Sequence, residues 1–523
     1  MRSHAPLLSL VIVLCFAASL GAESTPRGYQ SRACGFDLDR DGIRGESEDC
    51  RVCNGTTSDP DGDGVDEDLI YVDCQKGRDD AACGTPDAPC QTIGHAWTQR
   101  ADGPADGAED IVCFRGVCRE DDLRPSVAGL AGDYTVAKTG SQARDWRYPD
   151  NPTMLVGWDH DADGSYPPHD PDDLAVLTGV TRAIRLNAHN DHVEIAHFTA
   201  RDFGSATDVI DSGFLRLGPS EGVLEHVYVH DLELIDINRA RVTELGTSSS
   251  ISVFNIFSAR TRPKWIAVEN VLVDNNGDWF VRGEAIADAI ETGPYRFQHI
   301  TRRLRGCNAD DCGKSAAATS FRIWGYVTGI EILDSIWDAQ VAAWQPWAEG
   351  PPMGARFVSA GPCSRDWTIR NNHVLDHKVA LDVYGHSPGY CEDEHAREVT
   401  DVVFDANEVI NHHEPWRYGD VMVNLFRGGD SPGETIGDVI LTDNLFVSTV
   451  GWEGGVWIRH GHQSQPLTGT ITLIGNIFRG AINRSGHGVI MLGGEDYPYR
   501  PRNLVIENNR FEEAEGREFV EMP

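Results

Sequence analysis

Ile369-Arg-Asn-Asn372-His-Val, Phe404-Asp-Ala-Asn407-Glu-Val, Leu441-Thr-Asp-Asn444-Leu-Phe, Leu473-Ile-Gly-Asn476-Ile-Phe and Ile506-Glu-Asn-Asn509-Arg-Phe are copies of one short pattern. The Asn recurs after 35, 37, 32 and 33 residues (407 − 372, 444 − 407, 476 − 444, 509 − 476). A looser copy, Ile332-Leu-Asp-Ser335-Ile-Trp, stands 37 residues before the first (372 − 335), and Ile195-Ala-His-Phe and Val268-Glu-Asn-Val follow the style less regularly. Each copy reads as apolar strand, polar bend, apolar strand. Asn tolerates the left-handed backbone region, and its amide can bond to neighbouring turns. One copy cannot bury its apolar face alone, so the copies must stack. Stacked in register they make parallel sheets with an Asn ladder inside the coil. Leucine-rich repeats are shorter and need a Leu spacing that is absent. Propeller blades need about 40–45 residues and antiparallel hairpins. The spacing therefore predicts an all-β chain wound as a single-stranded parallel β-helix.

Upstream of the repeat, from Ile70, the chain is a series of short β-branched and aromatic runs broken by Gly, Asn and Asp. Only Thr92 to Gln99 keeps a helical period. The body opens with Tyr71-Val-Asp73, Gly77-Arg-Asp79 and Gly84-Thr-Pro-Asp-Ala-Pro89-Cys-Gln-Thr-Ile93, then Asp110-Ile-Val-Cys-Phe-Arg-Gly116-Val-Cys-Arg-Glu120. This opening resembles that of the pectin-lyase-like right-handed parallel β-helix proteins, with Cys118 where Tyr is common. The resemblance covers residues 70–523 and implies a right-handed coil with a capping helix near Thr92. That superfamily hosts lyases, hydrolases, epimerases and adhesins, so the fold leaves the function open.

Residues 34–68 are Asp- and Gly-rich with almost no apolar periodicity, and need metal or disulfides for order. Three segments share Asp-x-Asp-x-Asp-Gly: Asp37, Asp39 and Asp41; Asp59, Asp61 and Asp63; Asp159, Asp161 and Asp163. Alternate carboxylates with a turn-permitting Gly wrap oxygen ligands around a hard cation. Glu48 and Asp170 stand at position twelve of an EF-hand-like count in the first and third, and Asp66 follows the second. The first two segments, with Cys34, Cys50 and Cys53, resemble thrombospondin type 3 repeats. Calcium with a structural role is the expected cofactor; solvated acidic loops are the plain alternative. Cys50-Arg-Val-Cys53 has half the spacing of a zinc site, but no matching second pair follows.

Arg2 and the apolar run Leu7–Leu20 have the pattern of a secretory leader, which sets expected boundaries at 1–22 (leader), 23–69 (calcium-binding segment) and 70–523 (coil). No later stretch is apolar enough to span a bilayer. With Cys15 in the leader, 12 of 13 cysteines remain in a chain expected to be secreted, extracellular or at the cell surface, so disulfides are the default. Cys307/Cys312 and Cys363/Cys391 are spaced as loop clamps. The net charge of −36, from 81 acidic against 45 basic residues, disfavours nucleic acid and anionic membrane as partners.

The scarce basic residues cluster at Arg260-Thr-Arg262-Pro-Lys264 and Arg302-Arg303-Leu-Arg305, with Arg182, Arg185, Arg201, Arg239, Arg241 and Arg322 in the same third of the chain. Successive coils emerge on the same side, so such residues could line one groove suited to an acidic polysaccharide. In eliminative cleavage of a uronate, cations neutralise the carboxylate while a base removes the adjacent proton. Lys264 is the candidate base, with Arg262 and Arg322 as neutralisers; ordinary pairing with the many acids is the alternative. Among 19 histidines, His373 and His377 with Lys378, Asp382 and Tyr384 form the densest mixed cluster. Gly486-His487-Gly488 resembles a polygalacturonase motif, but its companions are missing in order. Val456-Trp-Ile-Arg459-His460 is similar to a pectate lyase motif, yet Arg459 replaces its Asp and the catalytic Arg-x-Pro-x-x-Arg element is absent. Two expectations follow: a polysaccharide lyase or hydrolase, or a non-catalytic calcium-stabilised surface protein of adhesin type that binds glycan.

Overall fold

The computed structural model describes residues 53, 68–96, 110–119, 153–157, 175–179, 182–186, 193–203, 213–217, 222–237, 252–258, 261–274, 279–285, 292–303, 319–339, 356–377, 379–384, 398–412, 421–426, 435–448, 454–459, 469–480, 489–492, 503–512 and 520–521. Within them the chain is an all-β parallel β-helix. One sheet has 22 strands and the other 11. A single winding shows the logic. Gly222–Ile235 lies in the larger sheet, Ser252–Ser258 in the smaller, and Thr261–Asp274 returns to the larger. There Ile266 pairs with Val227 and Val271 with Leu232, both in parallel. The next crossing, Trp279–Ala285, places Val281 beside Phe254.

The repeat governs this stacking. Ile332, Ile369, Phe404, Leu441, Leu473 and Ile506 form one unbroken column of paired positions. Two residues on, Asp334, Asn371, Asp443 and Asn508 turn the chain with φ of 48° to 58°, the left-handed region that Asn and Asp tolerate best. The next side chain points inward. Asn407 Nδ2 donates to Ile369 O at 2.8 Å and to Asn444 Oδ1 at 3.2 Å, while Asn407 Oδ1 accepts from the Asn372 amide at 2.9 Å. Asn444 and Asn476 repeat these bonds, Asn372 repeats the two donated ones while its Oδ1 accepts from Trp337 Nε1, and Asn509 accepts from Asn476 at the end. Earlier coils use the same bend at His197, Asp231 and Asn270. Their inward positions are Phe198, Leu232 and Val271, which satisfy the core by burial rather than by amide bonds.

One continuous apolar core runs from Ile70 to Leu492. In its middle, Phe280, Phe321, Trp337 and Phe357 meet edge to face or tilted, whereas Phe446, Phe478 and Phe511 stack nearly parallel at 5.1 and 5.5 Å. A smaller apolar cluster, Tyr71, Ile111, Cys113, Val156 and Ala196, occupies the opposite, outward face of the first coils. Cys53 is bonded to Cys113 in this cluster, so its sulfur is not half of a zinc site. Cys118 is bonded to Cys74, and Cys83 to Cys90. Cys363 is also disulfide-bonded; Cys391, Cys307 and Cys312 lie outside the described residues. The helical stretch expected at Thr92 is the single turn Ile93–His95, capped by the Thr92 hydroxyl. Among the described residues no helix is long and apolar enough to cross a membrane.

Candidate functional site

Alternation along a strand puts every second residue of the smaller sheet outside. Leu215, Phe254, Val281, Phe321, Val358 and Leu381 point into the core. The residues that follow them, Arg216, Asn255, Arg282, Arg322, Ser359 and Asp382, form one outward column in strict register, continued by Asn424. Rungs are spaced by about 4.8 Å, the distance between paired strands. Arg185 stands below Arg216 in the same register.

Aromatic rings flank the cationic part of the column. The Arg322 guanidinium lies 4.8 Å from the Trp279 ring and 4.0 Å from the Trp324 ring, and Arg282 lies 5.2 Å from Trp279. A guanidinium over an indole is attracted by the ring quadrupole and held flat. Trp324 in turn stacks on Tyr384 at 5.9 Å and 21°. The coil between them offers Gly361, whose missing side chain leaves room for the Trp324 indole to lean across. Toward the C-terminal end the column changes character. Asp382 is buried, accepts from Asn424 Nδ2 at 2.7 Å and pairs with Arg356 at 3.1 Å. The face thus has a cationic, aromatic-lined end and a neutralised carboxylate end.

Of the residues proposed for uronate chemistry, only Arg322 is here. Arg262 and Lys264 belong to Thr261–Asp274 in the larger sheet, so the three do not meet. Arg262 is exposed; Lys264 Nζ lies 3.9 Å from Glu225 and 5.8 Å from the Trp265 ring. Arg302 points into the core, 1% exposed, and donates to Ser320 Oγ at 2.8 Å. The His373 cluster also divides. His373 pairs outward with Glu408 at 2.7 Å, whereas His377 is buried against Ser320 and Phe357. Burial and the nearby Arg302 push the His377 pKa down to about 3, and its Nδ1 bonds to Leu375 O. Asp382 and Tyr384 stand on the smaller sheet's outer face, and Lys378 lies outside the described residues.

The calcium motifs Asp37, Asp39, Asp41, Glu48, Asp59, Asp61, Asp63, Asp66, Asp159, Asp161, Asp163 and Asp170 all lie outside the described residues. Arg282, Trp279 and Trp324 were missing from the sequence reading. The period-2 runs Trp279-Phe-Val-Arg282 and Phe321-Arg322-Ile-Trp324 carry the signal, but no Asn marks the register of the smaller sheet. The fold and this face define the class: a disulfide-bonded parallel β-helix with an arginine–tryptophan surface. No protein-family model matches the chain, and no curated protein matches it in sequence.

Proposed function

We propose that this is a secreted protein that binds an acidic extracellular polysaccharide along the outer face of the smaller sheet, on a pectin-lyase-like coil. The observation that carries the reading is Arg322 held between Trp279 and Trp324 in one column with Arg282. Flat guanidiniums at fixed spacing suit carboxylates borne on successive sugars, and indole faces suit the C–H faces of pyranose rings. Rungs about 4.8 Å apart are of the order of one sugar ring. On an otherwise strongly acidic body such a strip also gives direction to an anionic chain. Disulfides such as Cys53–Cys113, Cys74–Cys118 and Cys83–Cys90 suit an oxidising compartment. Calcium at the Asp-x-Asp-x-Asp-Gly motifs is proposed as a brace, with Cys53–Cys113 tethering the acidic segment to the first coil.

Calorimetric titration of the mature protein with polygalacturonate and with a neutral glucan tests the reading. Binding to the uronate alone is expected, weakening as salt rises, with a loss of about tenfold or more in Arg322→Ala. Equal affinity of the variant, or no binding to any anionic polymer, overturns it. Absorbance from new double bonds in the same samples separates a binding protein from a lyase.

A further inference from the structure

The outward face of the larger sheet holds a second polar cluster, far from solvent and unrelated to the Asp-rich motifs. It is built from three consecutive coils. Val193–Arg201 contributes Glu194 and the bend residue His197; Gly222–Ile235 contributes Tyr228, His230 and the bend residue Asp231; Thr261–Asp274 contributes Glu269 and Asn270. Register makes the meeting unavoidable. Ala196, His230 and Glu269 form one column of paired positions, and His197, Asp231 and Asn270 are the residues that follow them at the bend.

All the titratable members are buried, His230 at 0% and Asp231 at 1% exposure. His230 Nε2 lies 2.6 Å from Glu194 Oε1, and Nδ1 lies 2.6 Å from Asp231 Oδ2. Asn270 Nδ2 donates to the other Asp231 oxygen. Tyr228 stacks on the His230 ring at 4.2 Å and donates to Glu269 at 3.2 Å. The His197 ring stands edge-on to His230 at 5.5 Å.

We propose that His197, His230 and Asp231 bind a divalent transition-metal ion of the zinc class. Ligand atoms of these three lie within 4.8 Å of one another. Ligands of a tetrahedral zinc, bonded at about 2.0–2.1 Å, sit about 3.4 Å apart, so small side-chain shifts complete the set. Glu194 bonds to Nε2 of His230 and Asn270 donates to Asp231, as outer groups do around a metal-bound imidazole, and the ion would replace the proton that His230 Nδ1 shares with Asp231 Oδ2. Two imidazoles and one carboxylate favour zinc, cobalt or nickel over calcium, which takes oxygen ligands. The ion would join two coils, Val193–Arg201 and Gly222–Ile235, where the inward Asn ladder has not yet begun.

The test uses the full mature chain, stripped with chelator and dialysed against Zn²⁺, then against Co²⁺. One equivalent of zinc is expected to remain, with a Co²⁺ spectrum showing nitrogen ligation. His230→Gln should lose that equivalent with unchanged circular dichroism, and Glu194→Gln should weaken binding by about 10–100-fold. If His230→Gln does not fold, Glu194→Gln and the wild-type Co²⁺ spectrum decide. Zinc retention equal in wild type and variants, or cobalt bound without nitrogen ligands, overturns the proposal.

Discussion

Trp324 occupies the space that a side chain on Gly361 would need, and through that space it reaches Tyr384 two coils away. A glycine one coil above thereby sets the orientation of the indole that lies 4.0 Å from the Arg322 guanidinium. Gly361→Val is expected to push Trp324 out of its stack. Overpacking of this kind costs about 1–3 kcal/mol. The measurements are tryptophan fluorescence, a thermal melt and affinity for polygalacturonate. Folded protein with unaltered fluorescence and affinity would show that Gly361 has no such role.

The Asn ladder makes a separate prediction about stability. Asn444 Nδ2 donates to Phe404 O at 2.8 Å and Asn476 Oδ1 at 2.9 Å, and its Oδ1 accepts from the Asn407 amide at 2.9 Å. Asn444→Leu supplies the residue type found at Leu232 in an earlier coil, yet strands these buried groups. Each costs about 1–3 kcal/mol. Urea unfolding should show a clear loss of stability, larger than for the same change at Asn509, which is only partly buried. Equal losses at the two positions would contradict the ladder's energetic role.

His377 couples stability to pH. Arg302 donates to Ser320 Oγ, Ser320 donates to His377 Nε2, and His377 Nδ1–H donates to Leu375 O, a chain that requires neutral imidazole. Burial and Arg302 hold the folded pKa at about 3, against 6.5 for a free imidazole in water. Between these values the unfolded chain binds a proton that the native protein refuses. This contribution to stability is complete above pH 6.5 and falls as pH drops toward 3, by about 1.4 kcal/mol per unit. His377→Asn should flatten the pH dependence of the melt over that window relative to wild type. An unchanged slope would exclude His377 as its source.

Calcium removal tests the brace. With calcium on the Asp-rich motifs, chelation lowers the unfolding temperature and exposes residues 34–68 to protease. Identical melts and digestion patterns with and without chelator, on protein verified metal-free, would argue against it.

The Asn spacing in residues 369–509 was enough to predict stacked parallel coils, because one register column repeats five times with its bend residue. It also placed Ser335 correctly in that column, beside Asn372. What sequence could not decide was which side chains share a face. Arg262, Lys264 and Arg322 look like neighbours in a list of basic residues, yet strand assignment sends them to different sheets. His373 and His377 are four apart, yet one faces solvent and the other the core. Period-2 alternation makes orientation depend on where each strand begins, and only the stacking fixes that. The Trp279–Arg322–Trp324 face and the Glu194–His230–Asp231 cluster each join residues from different coils, so tertiary register alone brought them together.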